Sequence, residues 1–267
     1  MELATELVCT HGLGCRFGSV VAVDDLNLSI SSGEIFGLIG RNGAGKTTTI
    51  KMLTTLLPPS DGTAAIAGFD VVRQASSVRR LIGYVPQALS ADGELTGYEN
   101  LLVFARLFDV PRAGRKARID AALNFMGLAE SAHKLVRSYS GGMIRRLEIA
   151  QSTLHRPKVL FLDEPTIGLD PVAREAVWDH ILRLNAEGGT TMVVTTHYME
   201  EAEALCHRVG IMHLGRLIAL DTPDRLKAQV GAATLDEAFA RFTGGAAERD
   251  AGYVETSRTR RAAGRLG

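Results

Sequence analysis

The chain has few cysteines, no long apolar run and no excess of charge of either sign. Its three cysteines, Cys9, Cys15 and Cys206, are odd in number and lack C-x-x-C spacing, which argues against a disulfide scaffold and a structural zinc site. No stretch approaches the roughly 18 consecutive apolar residues of a membrane-spanning helix, and the first residues lack the pattern of a signal peptide. We therefore expect a cytosolic chain that reaches a membrane only through a partner.

The overall charge is balanced, because 30 Lys and Arg residues face 30 Asp and Glu residues. No global positive field attracts a nucleic acid, so no nucleic-acid partner is expected. Hydrophobic residues make up 46% of the 267 positions, which suffices for the core of one large α/β domain or two small ones. The composition thus favours a globular protein over a disordered one.

A glycine-rich segment lies between an apolar run and a helical pattern. The apolar run covers residues 35–39, and Ile50, Leu53 and Leu57 follow at helical spacing, which predicts a strand, a loop and a helix that ends before Pro58. Glycines let backbone N–H groups converge on a polyphosphate, which the helix N-terminus also attracts. The segment is therefore predicted to bind a nucleoside triphosphate through Gly40, Arg41, Asn42, Gly43, Ala44, Gly45, Lys46, Thr47 and Thr48.

Four side chains are candidates for the chemistry at this loop. Lys46 can reach the β- and γ-phosphates, and the Thr47 hydroxyl can bind Mg²⁺. Residues 159–162 form a second apolar run, typical of a strand buried on both faces, and it ends in Asp163 and Glu164. We expect Asp163 to hold Mg²⁺ through water and Glu164 to polarise the attacking water. A solvated acidic loop is the alternative for this pair.

The remaining pattern favours a mixed α/β core interrupted by helices. Short strands are predicted on both sides of a turn at Gly18 and Ser19. Residues 96–146 show helical spacing, after which strand signals return at residues 159–162 and 192–195. A terminal β-hairpin around Gly215 and short helices after it complete the prediction. The fold class is therefore α/β with a helical insert.

Further motifs follow the phosphate-binding loop in a fixed order: Tyr84-Val85-Pro86-Gln87, Tyr139-Ser140-Gly141-Gly142-Met143, Asp163-Glu164-Pro165-Thr166, Gly168-Leu169-Asp170 and Thr195-Thr196-His197. In this order the motifs resemble the nucleotide-binding domain of an ATP-binding cassette (ABC) transporter. The resemblance implies a P-loop NTPase core with a RecA-like mixed sheet, an N-terminal antiparallel β-subdomain and a helical insert at about residues 90–150. Within this frame the chain would be an ATPase that uses ATP and Mg²⁺.

The resemblance also implies roles for three residues around the nucleotide. Phe17 would stack on adenine, although core packing is an alternative for its ring. Gln87 would sense Mg²⁺ and the attacking water, and its loop would join the core to the helical insert. His197 would bind the γ-phosphate or orient the water and Glu164.

Ser140, Gly141 and Gly142 precede a helical pattern, so they offer a hydroxyl, N–H groups and a helix N-terminus to an anion. The family closes head to tail around two ATP molecules, which implies that these residues complete the site of a second copy. Asp170 would lie at that seam, and a role as helix cap suits it equally well. The implied partners are a second nucleotide-binding domain in a homodimer and a separately encoded permease, with the chain peripheral on the cytoplasmic side of the membrane.

Met143 and Phe17 depart from the commonest family pattern and resemble the daunorubicin-resistance type of drug exporter. This resemblance implies export of a drug, antibiotic or hydrophobic metabolite. The alternatives are the ATPase of an importer and a soluble ABC protein that acts on ribosomes or DNA. The predicted parts are a cassette (residues 5–230), a C-terminal helical extension (231–245) and a disordered Arg-rich tail (246–267), which is either solvated or in contact with lipid or RNA.

Overall fold

The computed structural model describes residues 6–244, so the predicted tail lies outside the described residues. The strands are β1 (Glu6–Phe17), β2 (Val20–Ser31), β3 (Ile35–Ile39), β4 (Asp61–Ile66), β5 (Phe69–Asp70), β6 (Ile82–Val85), β7 (Val159–Asp163), β8 (Thr191–Thr196), β9 (Arg208–His213) and β10 (Arg216–Asp221). The α-helices are α1 (Lys46–Leu53), α2 (Ala75–Leu81), α3 (Gly97–Leu107), α4 (Arg112–Phe125), α5 (Gly141–Thr153), α6 (Pro171–Gly188), α7 (Met199–Leu205), α8 (Pro223–Val230) and α9 (Leu235–Phe242).

The smaller sheet is antiparallel, in the order β2-β1-β4-β5. Strands β1 and β2 form a long hairpin in which Phe17 pairs with Val20 across the predicted turn. Gly18 in that turn has a φ of 58°, a left-handed conformation that glycine adopts without a Cβ clash. The sheet confirms the expected antiparallel β-subdomain.

The larger sheet has the order β10-β9-β3-β8-β7-β6. Strands β9, β3, β8, β7 and β6 are parallel, and β10 pairs antiparallel with β9 at one edge. Strands β3, β7 and β8 are buried along their whole length, as expected for strands covered on both faces. Because the strands are parallel, the carboxyl ends of β3, β6, β7 and β8 meet at one edge, where open α/β sheets bind ligands.

Two hydrophobic cores lie on opposite faces of this sheet, and alternate residues of each central strand belong to different cores. In β7, Leu160 and Leu162 pack with the helices α3 to α7 and α9. Phe161, between them, packs with the antiparallel sheet and α1. The central sheet thus packs against a helical layer on one face and against the antiparallel sheet on the other, which confirms the mixed α/β class.

Two of the helices between β6 and β7, α3 and α5, begin with side-chain caps. Thr96 caps α3 in a capping box, since its hydroxyl accepts from the Glu99 N–H while Glu99 accepts from the Thr96 N–H. Ser140 caps α5 by accepting from the Met143 N–H. Among residues 6–244, no helix combines the length and apolarity that a membrane crossing requires. The division of the chain into cassette, insert and extension stays a prediction.

The helix after the phosphate-binding loop is shorter than its spacing predicted. We expected it to include Leu57, but α1 ends at Leu53. Thr55 adopts a left-handed φ of 64°, and the N–H groups of Leu56 and Leu57 turn back to the Lys51 carbonyl. A left-handed residue ends a helix in this way because it bends the chain back on the last turn.

Four short elements carried no clear sequence signal: α2, β5, β6 and α7. Strand β6 has only four residues and includes Gly83, where an added Cβ would collide with the Ser152 carbonyl. Helix α7 has seven residues and three glutamates. Elements of this length are defined by tertiary packing and not by periodicity.

Candidate active site

The predicted catalytic and metal-binding residues lie at or just after the carboxyl ends of four parallel strands. The loop after β3 is the glycine-rich segment, β7 ends at Asp163, and His197 follows β8. Gln87 follows β6. Residues far apart in the sequence therefore meet because parallel pairing aligns these strand ends.

The glycine-rich loop opens into a cavity of about 420 Å³. At Gly45, just before α1, φ is 106° and an added Cβ would lie 2.5 Å from the Ala22 carbonyl, so only glycine fits there. The cavity is lined by Val20, Val21, Ala22, Asn42, Gly43, Ala44, Gly45, Lys46, Thr47, Thr48, Gln87 and Glu164. The first N–H groups of α1 have no partner within the helix, which suits the loop to an anionic ligand.

Lys46 lies inside the loop with its side chain almost fully buried. Its Nζ donates to the Gly40 carbonyl at 2.7 Å and lies 3.4 Å from that of Arg41. The same Nζ is 3.3 Å from Glu164 Oε1. Both charges are therefore buried and paired, as buried ionised groups must be. A polyphosphate in the cavity would compete with the Glu164 carboxylate for this ammonium.

Asp163 is fully buried, and within residues 6–244 only one of its two carboxylate oxygens is hydrogen-bonded. Oδ1 accepts from the Thr195 hydroxyl at 2.5 Å and from the Thr47 hydroxyl at 3.2 Å. Oδ2 has no hydrogen-bond partner among the described residues. This oxygen has no donor in the described part of the chain and lies on the carboxylate that contacts the Thr47 hydroxyl, at the edge of the cavity. Mg²⁺ beside a nucleotide takes only a few protein oxygens as ligands, and these two groups fit that requirement. Among residues 6–244, no group of three or more His, Cys, Asp or Glu side chains could hold a metal ion by itself.

Glu164 occupies a strained backbone position. Its φ is 49°, in the left-handed region that non-glycine residues seldom adopt. Its N–H donates to the carbonyl and hydroxyl oxygens of Thr195. Its carboxylate joins Lys46 through Oε1 and His197 Nδ1 through Oε2, at 3.3 and 3.1 Å. In this backbone conformation, the Glu164 carboxylate contacts both Lys46 and His197.

The predicted site residues that do not line this cavity are Phe17, Gly40, Arg41, Ser140, Gly141, Gly142, Asp163 and His197. Ser140, Gly141 and Gly142 start α5, and an added Cβ at Gly141 or Gly142 would meet Leu169 or Ala173. Asp170 caps α6 by accepting from the Ala173 N–H at 2.9 Å. The two helix starts are therefore neighbours, away from the loop of their own chain.

Phe17 is also outside the lining of the cavity, although its pairing partner Val20 lies in it. Its side chain is 51% exposed. Exposure of this degree argues against core packing for the Phe17 ring and leaves it free for a ligand.

Sequence reasoning missed two hydrogen-bonding residues of the site. Thr195 belongs to one of the motifs but had no predicted role, yet it contacts both Asp163 and Glu164. Glu201, fully buried in α7, accepts from the Thr166 hydroxyl at 2.7 Å and the Trp178 N–H at 2.9 Å. Thr195 had a signal, since a hydroxyl in an apolar strand needs a partner, whereas Glu201 had none.

The fold and the site together define a P-loop nucleoside-triphosphate-binding protein of the α/β class. The sequence profile of the ABC transporter family matches residues 23–167. The chain belongs to this family, as an ATP-binding, ATP-hydrolysing protein of the ABC type. The resemblance drawn from the motifs is confirmed.

Several characterised proteins are similar to most of the chain. The daunorubicin resistance ATP-binding protein DrrA3 of Streptomyces coeruleorubidus is 44% identical over 88% of this chain and 74% of its own length. The Nod factor export ATP-binding protein I of Ralstonia nicotianae is 42% identical over 84% and 69%. The linearmycin resistance ATP-binding protein LnrL of Bacillus subtilis is 37% identical over 82% and 70%.

Solved structures share the fold. An ATP-binding subunit of an ABC transporter superposes with a TM-score of 0.79 at 30% identity, covering 88% of this chain and 99% of that one. A dimeric post-hydrolysis state of an ATP-binding cassette bound to ADP and Pi gives 0.72 at 25% identity, covering 81% and 98%.

Replacing Lys46 with alanine removes the ammonium that would meet the phosphates. A hydrogen bond to a charged group contributes about 1.5–3 kcal/mol, so Lys46→Ala should weaken ATP binding roughly 10- to 150-fold and abolish hydrolysis. Calorimetric titration with ATP measures the affinity. Lys51→Ala, on the exposed side of the same helix, is the matched control and should bind ATP normally. Equal affinities of the two variants would exclude Lys46 from the phosphate site.

Proposed function

We propose that the chain is the ATP-hydrolysing subunit of an exporter for a drug, antibiotic or hydrophobic metabolite. The observation that carries the ATPase part is the convergence of Lys46, Glu164 and His197 beside the phosphate-binding loop. Support for export comes from the relatives, which are named for antibiotic resistance and Nod factor export. These names favour export over import, and over a role on ribosomes or DNA.

We propose that Thr47, Asp163 and Gln87 hold Mg²⁺ beside the phosphates. The Thr47 hydroxyl lies 3.2 Å from Asp163 Oδ1, and Asp163 Oδ2 has no hydrogen-bond partner among the described residues. When bound, the ion would neutralise charge on the β- and γ-phosphates. The Asn42 to Thr48 segment would bind the polyphosphate through its N–H groups and Lys46.

Glu164 is the proposed base for the attacking water. Lys46 holds its Oε1 at 3.3 Å, and a phosphate that takes over Lys46 would free this oxygen. The freed carboxylate could then accept the proton of a water that attacks the γ-phosphate. His197, bonded to Oε2, would keep the carboxylate in place and reach the γ-phosphate with its other nitrogen.

A complete site needs a second copy in this proposal. Ser140, Gly141 and Gly142 start α5 outside the cavity of their own chain. The similarity to the dimeric cassette bound to ADP and Pi supports a head-to-tail homodimer. In such a dimer the α5 N-terminus and the Ser140 hydroxyl of one copy would meet the γ-phosphate bound by the other.

A permease would dock in a cleft between the core and α3. The cleft has a volume of about 490 Å³ and includes Tyr84 and His155 on the core side and Phe104 and Phe108 on the α3 side. Leu107, at its rim, is 70% exposed. Burial, with a smaller contribution from the Asp163 carboxylate, raises the pKa of Tyr84 to about 12. An apolar cleft of this kind suits a helix from a membrane partner.

Replacing Glu164 with glutamine tests the base. Glu164→Gln keeps the size of the side chain and removes the proton acceptor, so hydrolysis should fall about 10²- to 10⁴-fold while ATP still binds. Phosphate release and ATP titration measure the two quantities. Glu200→Gln, an exposed acid on the first turn of α7, is the control and should keep its turnover. Near-normal turnover in Glu164→Gln would contradict the role.

Mixing two inactive variants tests the shared site. Ser140→Arg and Lys46→Ala each abolish both sites of a homodimer, but a mixed dimer has one site with both defects and one with neither. Some ATPase activity should therefore return on mixing. If mixed dimers form, as seen by mass or labelled-subunit exchange, and no activity returns, the sites are not shared.

Changing the cleft tests docking. Leu107→Glu should reduce co-sedimentation with membranes that contain the co-expressed permease, because it places a charge on an apolar rim. Leu214→Glu, an exposed leucine in the β9–β10 turn, is the control.

Deleting residues 246–267 should leave membrane association largely intact at high salt, where binding through arginines is lost. If the deletion releases the protein and Leu107→Glu does not, the tail is the attachment and the cleft is not.

A further inference from the structure

Helix α5 is hydrogen-bonded to the loop that carries Gln87. The loop comprises residues 86–91, and Arg145 on the second turn of α5 reaches its first half. Arg145 Nη1 donates to the Pro86 carbonyl at 2.7 Å, and Nη2 donates to the Gln87 carbonyl at 2.8 Å. The Arg145 side chain is 1% exposed, so both bonds are shielded from water.

Glu148, one turn further along α5, holds the second half of the same loop. Its Oε1 accepts from the N–H groups of Ser90 and Ala91 and from the Ser90 hydroxyl. Glu148 is as deeply buried as Arg145. The carbonyls at one end of the loop and the amides at the other are therefore held by two side chains of a single helix.

The two side chains also pair with each other, with Arg145 Nη1 3.0 Å from Glu148 Oε2. A buried ion pair contributes little net stability, because desolvation of both charges offsets their attraction. The fork of an arginine can hold two carbonyls and a carboxylate at fixed angles, which a lysine cannot. The arrangement therefore fixes the position of the Gln87 loop relative to α5 more than it stabilises the fold.

A second set of bonds extends the connection beyond the loop. Gln151 on α5 donates to Asn100 Oδ1 at 3.2 Å. Asn100 on α3 accepts from the Asp92 N–H and donates to the Asp92 carbonyl. The segment from Pro86 to Asp92 is thus bonded to α5 at its start, its middle and, through Asn100, its end.

We propose that Arg145 and Glu148 are positioning residues that make the Gln87 loop and α5 move as one body. Gln87 lines the cavity beside the phosphate-binding loop, whereas Ser140, which caps α5, does not line it. Nucleotide that pulls on Gln87 would shift α5 and so aim Ser140 at the site of the other copy. The inference rests on the proposed function, in which Ser140 completes that second site.

Such a connection is a continuous chain of hydrogen bonds, one of the physical networks that can carry energetic coupling between two sites. The loop side chains are exposed from Gln87 to Ser90, and apart from the bond to the Ser90 hydroxyl the bonds from Arg145 and Glu148 are to the loop backbone. Contact with nucleotide or a partner can therefore act on the side chains without breaking these backbone bonds. Arg146, the next residue, bonds the Met126 and Gly142 carbonyls instead and leaves the loop untouched.

The test compares Arg145→Met and Glu148→Gln with Arg146→Met, which removes an arginine from the same helix. Amide hydrogen exchange is followed in the full chain, at a concentration where light scattering shows monomers, with and without Mg²⁺ and the non-hydrolysable analogue AMP-PNP. In the wild type and in Arg146→Met, the analogue should slow exchange in residues 86–91 and in residues 144–150. In Arg145→Met and Glu148→Gln, the response of residues 144–150 should be lost while AMP-PNP affinity stays unchanged.

Steady-state kinetics supply a second readout. Loss of coupling should lower the maximal ATPase rate about 2- to 30-fold with little change in KM, and Arg145→Lys should fall between wild type and Arg145→Met. Persistence of the α5 response in Arg145→Met, its absence from the wild type, or its equal loss in Arg146→Met would each overturn the inference. If Arg145→Met does not fold, Arg145→Lys and Glu148→Gln decide. Exchange needs no hydrolysis, so this outcome is separable from the Glu164→Gln result.

Discussion

The site depends on the register of three parallel strands. Asp163 at the end of β7 pairs with Thr195 on β8, and Leu38 on β3 pairs with the same threonine from the other side. Successive side chains of a strand point to opposite faces, so a slip of one residue would send Asp163 into a hydrophobic core and Leu162 towards the loop. The two cores make this slip very unfavourable. Packing on both faces of the sheet thus fixes where the charged groups meet.

Within that frame the charged groups form a set that a ligand can rearrange. Lys46 and Glu164 form a buried ion pair, and loss of Glu164 would leave the Lys46 ammonium buried without a carboxylate partner. A polyphosphate offers Lys46 a replacement of higher charge, and His197 remains for Glu164. When a nucleotide binds, Lys46 then exchanges the Glu164 carboxylate for a phosphate, and the same exchange releases Glu164, the proposed base.

The fold class and most of the site could be predicted because their chemistry is local in sequence. The phosphate-binding loop, the acids after β7 and the histidine after β8 are short segments whose order and spacing are rarely found by chance. The end of α1 was predicted wrongly because a left-handed Thr55 leaves no trace in hydrophobic spacing. Arg145, Glu148 and Glu201 could not be assigned a role, since their partners are backbone groups or single side chains that only the tertiary fold brings near. The roles of the site residues stay predictions.

The left-handed backbone of Glu164 has a consequence for how this position can change. A non-glycine residue in that conformation costs roughly 1–2 kcal/mol, so glycine is the residue that the backbone itself prefers. Glutamate occupies this position despite that preference, and the hydrogen bond from its backbone N–H to the Thr195 hydroxyl holds the conformation. Replacement by glycine would relieve the backbone but would leave the buried Lys46 ammonium without a carboxylate partner, which costs more than the strain, so the ion pair and not the backbone favours glutamate at this position.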